Sequence, residues 1–248
     1  MSKNIKLFET TNQYNAYTAD TTNFILPNLS LCKDAPTVVY YNPTTPPAPS
    51  HDYVEIGGVK WATMNVGATD ITDIGEYFAW GDTQGYTAAQ VGDGEGQKYF
   101  GEDDYIYYND GSYTKYNEGD SLITLESTDD AVQANWGGNW RMPTVSEFIA
   151  LCEAVTSAWT ADYQGSGVAG VVLTDKTDSS KKLFFPAAGS ASYGGVNVGY
   201  SGDYWSSSLS VDYGGSHAFF LTFGDNGVWW FYEYRYNGFT VRGVLAEN

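Results

Sequence analysis

Two histidines, two cysteines and thirty carboxylates are the groups from which this sequence of 248 residues could build acid–base, nucleophilic or metal chemistry. A Ser-His-Asp triad or a zinc site needs imidazoles held beside partners. Here His51 stands at the end of a proline-rich run and His217 opens an apolar run that reads as a strand. Cys32 and Cys152 fall on either side of that proline-rich run, so there is neither a disulfide framework nor a CxxC metal motif. Gly165-Ser166-Gly167-Val168-Ala169-Gly170 spells GxGxxG, but a strand pattern follows it where a dinucleotide site requires a helix, so it reads as a turn. No GxSxG, HExxH, Walker or EF-hand pattern occurs. Carboxylates are numerous enough for a glycosidase-like acid–base pair, yet spacing singles out no two of them. Residues 70–130 hold fifteen acids against two lysines. They form either a solvated acidic face or ligands for a hard cation such as structural calcium. No catalytic residue emerges.

The chemistry that does stand out is contact. Residues 189–237 contain fourteen aromatic residues, nine glycines and eight serines, with Arg235 as the lone base. Tyrosine and tryptophan give rigid contact area, and Ser, Gly and Asn adapt their hydrogen bonding, the composition of antibody paratopes. Core packing accounts for Phe184, Phe185, Trp205, Phe223 and Phe239. It does not account for 229–234, where alternation sets Trp229, Phe231 and Glu233 on one face and Trp230, Tyr232 and Tyr234 on the other. Bulky rings on both faces predict that one row meets solvent or a partner.

The elements that must position this segment are short. Four of the eight prolines lie in 43–49, a stiff spacer. It divides a head (1–42) from a main domain (52–248), with the linker spanning 43–51. The head carries apolar clusters at 24–26 and 38–41 that read as short strands or one helix with a strand, a docking or assembly element. After the linker, Tyr53–Ile56 and Val59–Ala62 predict a hairpin around Gly57-Gly58. Residues 81–120 predict a long ordered loop, and Thr128-Asp129-Asp130 predicts a short helix start. Thr144 and Glu147 form a capping box for a helix with Val145, Phe148, Leu151, Cys152 and Val155 on its apolar stripe. Cys152 there reads as a small buried hydrophobe. From 168 onward, strands are expected at 171–173, 183–185, 217–223, 227–234 and 239–244. The class is α+β, with few helices and many short strands.

Net charge is −18, and all of the excess lies beyond residue 51. Such a field repels phosphate backbones, which argues against nucleic-acid binding. No run of about 18 apolar residues predicts membrane insertion. The first eight residues lack an apolar h-region and a small-residue cleavage site, which predicts synthesis in a cytoplasm without a signal peptide.

Several motifs, in order, carry a resemblance. They are 59–68 (VKWATMNVGA), 75–81 (GEYFAWG), Asp129-Asp130-Ala131 and 135–144 (NWGGNWRMPT), followed by 185–189 (FPAAG), 204–208 (YWSSS) and 235–242 (RYNGFTVR). Across about 52–245 the chain resembles the Fibrobacter succinogenes major paralogous domain, found in gut Bacteroidetes and their phages. That resemblance implies a C-type-lectin-like fold related to the formylglycine-generating enzyme. It does not imply that enzyme's activity, which depends on paired reactive cysteines. Where the family often has a cysteine, this chain has Gly243. Some members are similar to the variable proteins of diversity-generating retroelements, including a phage tropism determinant. In those, mutagenesis of AAC-type codons rewrites a receptor-binding surface at the place of 190–236. Such codons yield Tyr, Ser, Asn, Asp, Gly and His but neither Trp nor Glu. Tyr193, Asn197, Tyr200, Asp212, Tyr213, Ser216, His217, Tyr232 and Tyr234 are thereby the contact candidates, with Trp229, Trp230 and Glu233 as fixed positions. Ser190, Ser192, Trp229 and Phe231 complete the expected ligand-binding surface. Residues 26–32 and 38–43 are similar to N-terminal segments of gut-phage structural proteins.

The resulting expectation is a non-enzymatic, receptor-binding protein of a phage virion, a tail adhesin. Its head would dock to other virion proteins, a homotrimer would multiply weak contacts, and the partner would be a bacterial surface protein or glycan. The rival readings are a host-encoded Bacteroidetes surface lectin and an enzyme on the same fold.

Overall fold

The Gly57-Gly58 turn forms where the sequence places it, with φ of +62° and +77°, the left-handed backbone that a tight hairpin turn demands. In this computed structural model the described residues are 51–247 and the backbone of two short strands, β1 (Leu7–Phe8) and β2 (Leu31–Cys32), which pair in parallel. The remaining expectations for the head and for linker residues 43–50 lie outside the described residues. The chain divides into units 1–47 and 48–248.

The second unit is mostly β, with two α-helices among the described residues and short antiparallel strands in several small sheets. In chain order these are β3 (Tyr53–Ile56), β4 (Val59–Asn65), β5 (Tyr108–Asn109), β6 (Ser112–Tyr113), α1 (Ala131–Trp136), β7 (Trp140–Arg141) and α2 (Val145–Ala154). There follow β8 (Val155–Thr160), β9 (Gly170–Asp175), β10 (Lys182–Pro186), β11 (Ala191–Ser192), β12 (Gly195–Val196), β13 (Gly202–Ser210), β14 (His217–Gly224), β15 (Gly227–Tyr234) and β16 (Arg242–Leu245). One sheet runs β3-β4-β16-β7, a second β10-β9-β8, and a third β13-β14-β15.

Both helices start as their sequences require. Asp130 accepts hydrogen bonds from the Val132 and Gln133 N–H groups at the start of α1. Thr144 and Glu147 close the capping box of α2, and Glu147 also takes a bidentate pair from Arg141 at 2.6 and 2.8 Å. Val155, expected on the helical stripe, instead opens β8, because the β-branched pair Val155-Thr156 suits the strand that pairs with β9. The expected strand 239–244 begins only at Arg242. Phe239 and Thr240 make single bridges to Phe78 and Tyr204 instead. The loop 81–120 is broken by the small hairpin β5–β6 and by short 3-10 turns.

Strand β13 gave no apolar signal because its serines are buried for their hydroxyls. Ser206 Oγ donates to the Phe219 carbonyl at 2.7 Å, and Ser208 Oγ accepts from the Val145 N–H at 3.1 Å. The core gathers in three clusters, around Trp80, Trp205 and Phe239, around Trp61, Phe148 and Tyr204, and around Tyr77, Phe100 and Tyr236. Phe184, Phe185, Trp205, Phe223 and Phe239 are all buried, as expected. At Gly243 a Cβ would lie 2.4 Å from the Trp136 ring, so the close approach of α1 to β16 leaves no room for a cysteine there.

Candidate binding face

The turn Asp225-Asn226 joins β14 to β15, and eight residue pairs follow without a register shift. The Arg235 N–H donates to the Ser216 carbonyl at 3.1 Å. Counting back from that bond, Tyr234, Tyr232 and Trp230 sit opposite His217, Phe219 and Leu221 at the non-hydrogen-bonded positions, where facing side chains come closest.

Their rings form a continuous row. Trp230 lies 5.9 Å from Phe219 between centroids, Phe219 6.2 Å from Tyr232, and Tyr232 4.8 Å from Tyr213. Tyr213 is 4.6 Å from His217, and His217 4.2 Å from Tyr234. The row continues through Tyr236 and Tyr193 to Tyr99, in steps of 5.1, 6.1 and 6.1 Å. Hydroxyls link it crosswise, Tyr213 to Tyr232 at 2.6 Å and Tyr193 to Tyr236 at 3.0 Å.

Of the residues nominated from sequence, Tyr193, Tyr213, Ser216, His217, Tyr232 and Tyr234 come together in or beside this row. Asp212 is exposed in the 3-10 turn Val211–Tyr213 that carries Tyr213. Ser190, Ser192 and Asn197 belong to the β11–β12 hairpin beneath Tyr193, where Asn197 Oδ1 accepts from the Ser190 N–H at 2.6 Å. Asn197 is thus held as a turn residue. Tyr200, 82% exposed, stands in the segment before β13. Trp229 and Phe231 alternate with the row along β15, and the Phe231 ring stacks on Tyr232 at 4.6 Å.

The expectation was that one row of rings would meet solvent, and rings of both rows do. Trp230 and Tyr234 are 43% and 42% exposed, and Trp229 and Phe231 are 48% and 54% exposed. Both faces are open at these positions, although α2 and β8 pack against part of the strand.

Sequence reasoning missed what holds the row in place. Arg235, the lone base of the segment, is fully buried. Its Nε donates to the Tyr105 hydroxyl at 2.9 Å, Nη1 to the Tyr116 and Gly215 carbonyls at 2.9 and 2.6 Å, and Nη2 to the Lys115 carbonyl at 2.9 Å. The Tyr113 and Trp80 ring centroids lie 4.7 and 5.0 Å from its Cζ. The guanidinium thereby fastens the end of β15 to the loop 105–116 and to the turn before β14. A single arginine among rings was the available signal.

Ser216 and His217 resemble a nucleophile and base only in proximity. Ser216 Oγ donates to the Tyr213 carbonyl at 2.8 Å, so its oxygen accepts from His217 Nδ1 at 2.6 Å. The imidazole is then a donor to that oxygen and cannot take its proton. Burial holds the His217 pKa below its ordinary value, and Glu233 pulls in the opposite direction.

Several of the acids of 70–130 are engaged locally. Among the described residues no three His, Cys, Asp or Glu side chains gather as a metal site. Asp73 accepts from the Thr69 and Asp70 N–H groups, and Asp120 from those of Tyr116, Asn117 and Leu122. Asp129 pairs with Lys115 and the Tyr116 hydroxyl. Asp73 and Asp120 thus cap turns in a segment with little sheet to satisfy its backbone. Cys152 packs against the second core cluster, and burial pushes its thiol up to about 11. Among the described residues no helix is long and apolar enough to cross a membrane.

Comparison of this chain with protein-family models, curated proteins and solved structures finds no match.

Proposed function

We propose that this chain is a receptor-binding protein and not an enzyme, its contact surface being the ring row of β14, β15 and the turns beside it. The observation that carries this reading is the unbroken row from Trp230 to Tyr99, partly open to water and fastened from below by Arg235. Exposed rings bearing hydroxyls, on a frame that does not have to reorganise, are what a contact surface needs, because little entropy is lost on binding. The frame is C-type-lectin-like in this reading, and 190–236 is its diversified surface, as in the family the sequence resembles. The chain works as a tail adhesin of a phage virion, the head docking it to other virion proteins and a homotrimer adding avidity.

The test is attachment of the labelled full chain to gut Bacteroidetes cells, with Tyr213→Ala/Tyr232→Ala as the comparison. Attachment should fall at least tenfold while the melting temperature holds. Unfolding of the double variant would make those rings core and end the reading. Immunogold labelling of purified virions decides the location: an absence from particles leaves the host-encoded surface lectin in its place.

A further inference from the structure

The outer side of β15 is a sheet edge. Among the described residues no strand pairs with it. The Arg235–Ser216 bond fixes which groups face where: Trp229, Phe231 and Glu233 turn their N–H and C=O toward β14, while Val228, Trp230, Tyr232 and Tyr234 turn theirs away. Native edges are blunted by shortness, lysine, proline or a bulge. β15 has eight residues, neither lysine nor proline, and unbroken register. Its two ends are closed. Val228 packs into the core cluster that contains Trp159, and the Tyr234 N–H donates to Glu233 Oε1 at 2.8 Å. Between them Trp230 and Tyr232 remain, with the exposed rings of Trp229, Trp230 and Phe231 beside them and Tyr232 half-buried and stacked on Phe231 at 4.6 Å.

Rings on both faces of an edge strand distinguish modes of binding. A globular surface or a sugar chain lying on one face leaves the other row in water. A strand added at the edge lies against both rows at once. Charge selects the kind of strand. Residues 183–234 contain no lysine or arginine and four acids, Asp203, Asp212, Asp225 and Glu233, and Arg235 is buried. A second copy of this chain, at −18, would bring like charge to the same edge.

We propose that the outer edge of β15 takes an extended, basic polypeptide segment as a fourth strand, pairing with Trp230 and Tyr232 and laying lysine or arginine side chains over the rings on both faces. This rests on the receptor-binding reading and names the partner's chemistry. Strand addition supplies affinity through the backbone and specificity through alternate side chains, and cations over Tyr and Trp rings add the selectivity.

The test titrates the full chain with a ten-residue peptide alternating lysine with valine and threonine. It is compared with the same peptide carrying glutamate for lysine, and with versions N-methylated on one or the other alternate set of residues. The lysine peptide should bind at least tenfold more tightly than the glutamate peptide, and methylation of one set alone should abolish binding. Trp230→Pro, which removes an outward N–H that β14 does not use, should bind at least tenfold more weakly than Trp230→Ala. No binding of the lysine peptide, equal binding of the glutamate peptide, or indifference to methylation overturns the proposal. So does a wild-type dimer in sedimentation that Trp230→Pro dissolves, which makes the occupant a second copy. Cell attachment by the same variants separates the two readings. If Tyr213→Ala/Tyr232→Ala loses attachment while Trp230→Pro and Trp230→Ala attach equally, the contact face stands and strand addition falls. If none of them matters, both fall.

Discussion

Two stretches of this chain are rich in tyrosine and have opposite fates. Tyr105, Tyr107, Tyr113 and Tyr116 close around the Arg235 guanidinium and the Asp129 carboxylate. Tyr193, Tyr213 and Tyr234 are exposed along an edge, where half-buried Tyr232 shares a hydroxyl bond with Tyr213. Burial pushes the inner phenols up, Tyr116 to about 12. Ring content therefore does not decide which side of a protein a segment joins; what the rings surround does. The inner set has a permanent cation and a paired carboxylate to satisfy, whereas the outer set has only its own hydroxyls and one imidazole.

Removing the cation should break that contrast most severely. Arg235→Ala leaves the Tyr105 hydroxyl and the Tyr116, Gly215 and Lys115 carbonyls without their donor in a buried site. The expected loss is about 4 kcal/mol, since several charge-assisted bonds and the packing of the stem disappear together. Arg235→Lys should recover little of it, because an ammonium cannot reproduce the fork. Urea denaturation reads both. A loss under about 1 kcal/mol would mean that the inner rings hold the loop without the guanidinium.

The carboxylates of the two regions differ in the same sense. Asp129 is buried, yet Lys115 and the Tyr116 and Tyr107 hydroxyls hold its pKa below the usual range. Asp203, on β13, has the Thr222 hydroxyl at 2.6 Å. Burial, with a smaller push from Glu233, raises it to about 6. Its pKa is thus above its ordinary 3.8, so between about pH 4 and 6 the folded chain holds a proton that the unfolded chain has released. The side chain penalises the fold increasingly as pH rises through that window, and the full cost of about 3 kcal/mol persists above it. Asp203→Asn should therefore raise stability at pH 7 by a large part of that amount and leave it nearly unchanged at pH 4. Equal effects at both pH values would refute the assignment.

Much of the frame was legible because its signals are local. Asp130, Thr144 with Glu147, and Gly57-Gly58 each satisfy backbone within a few residues, and helices and hairpin start where those residues predict. β13 was not legible, since the value of Ser206 and Ser208 lies in partners more than ten residues away. The site divides likewise. Alternation along 229–234 revealed two rows of rings, but that both are open depends on how little of β15 is covered by α2 and β8, which only the fold sets. Arg235 was visible as an isolated base, while its role depends on the carbonyls of Lys115, Tyr116 and Gly215, which only the fold assembles.

Along β15 itself, the contrast sharpens on contact alone. Trp229→Ala and Trp230→Ala remove half-exposed rings from opposite faces of one strand. Each should weaken a partner that covers both faces by about 1–2 kcal/mol, and stability should move by less than about 1 kcal/mol. If only Trp230→Ala weakens binding, the partner rests on the ring row and leaves the other face empty.

The finest difference is that the cation at the centre of the outer cluster is conditional. His217 Nδ1 is committed to Ser216 Oγ, so an added proton goes to Nε2 of a ring packed against Tyr213, Tyr232 and Tyr234. The rings of Tyr213, Tyr232 and Tyr234 pack against it, and the charge it feels is that of Glu233, one residue along β15. Burial lowers its pKa below 6.5, and Glu233 restores part of the difference, so the ring is neutral at pH 7 and gains charge only as pH falls below that value. A charged imidazole would occupy the ring faces that a basic partner needs and repel that partner's own cations. Affinity for the lysine peptide should hold from pH 8 to 7 and drop a few-fold, about 1 kcal/mol, below pH 6. In His217→Gln the drop should vanish, because the amide fills similar space without titrating. A drop that survives the substitution assigns it to Glu233 or Asp212, and tighter binding in acid would show that the outer row prefers a partner of opposite sign.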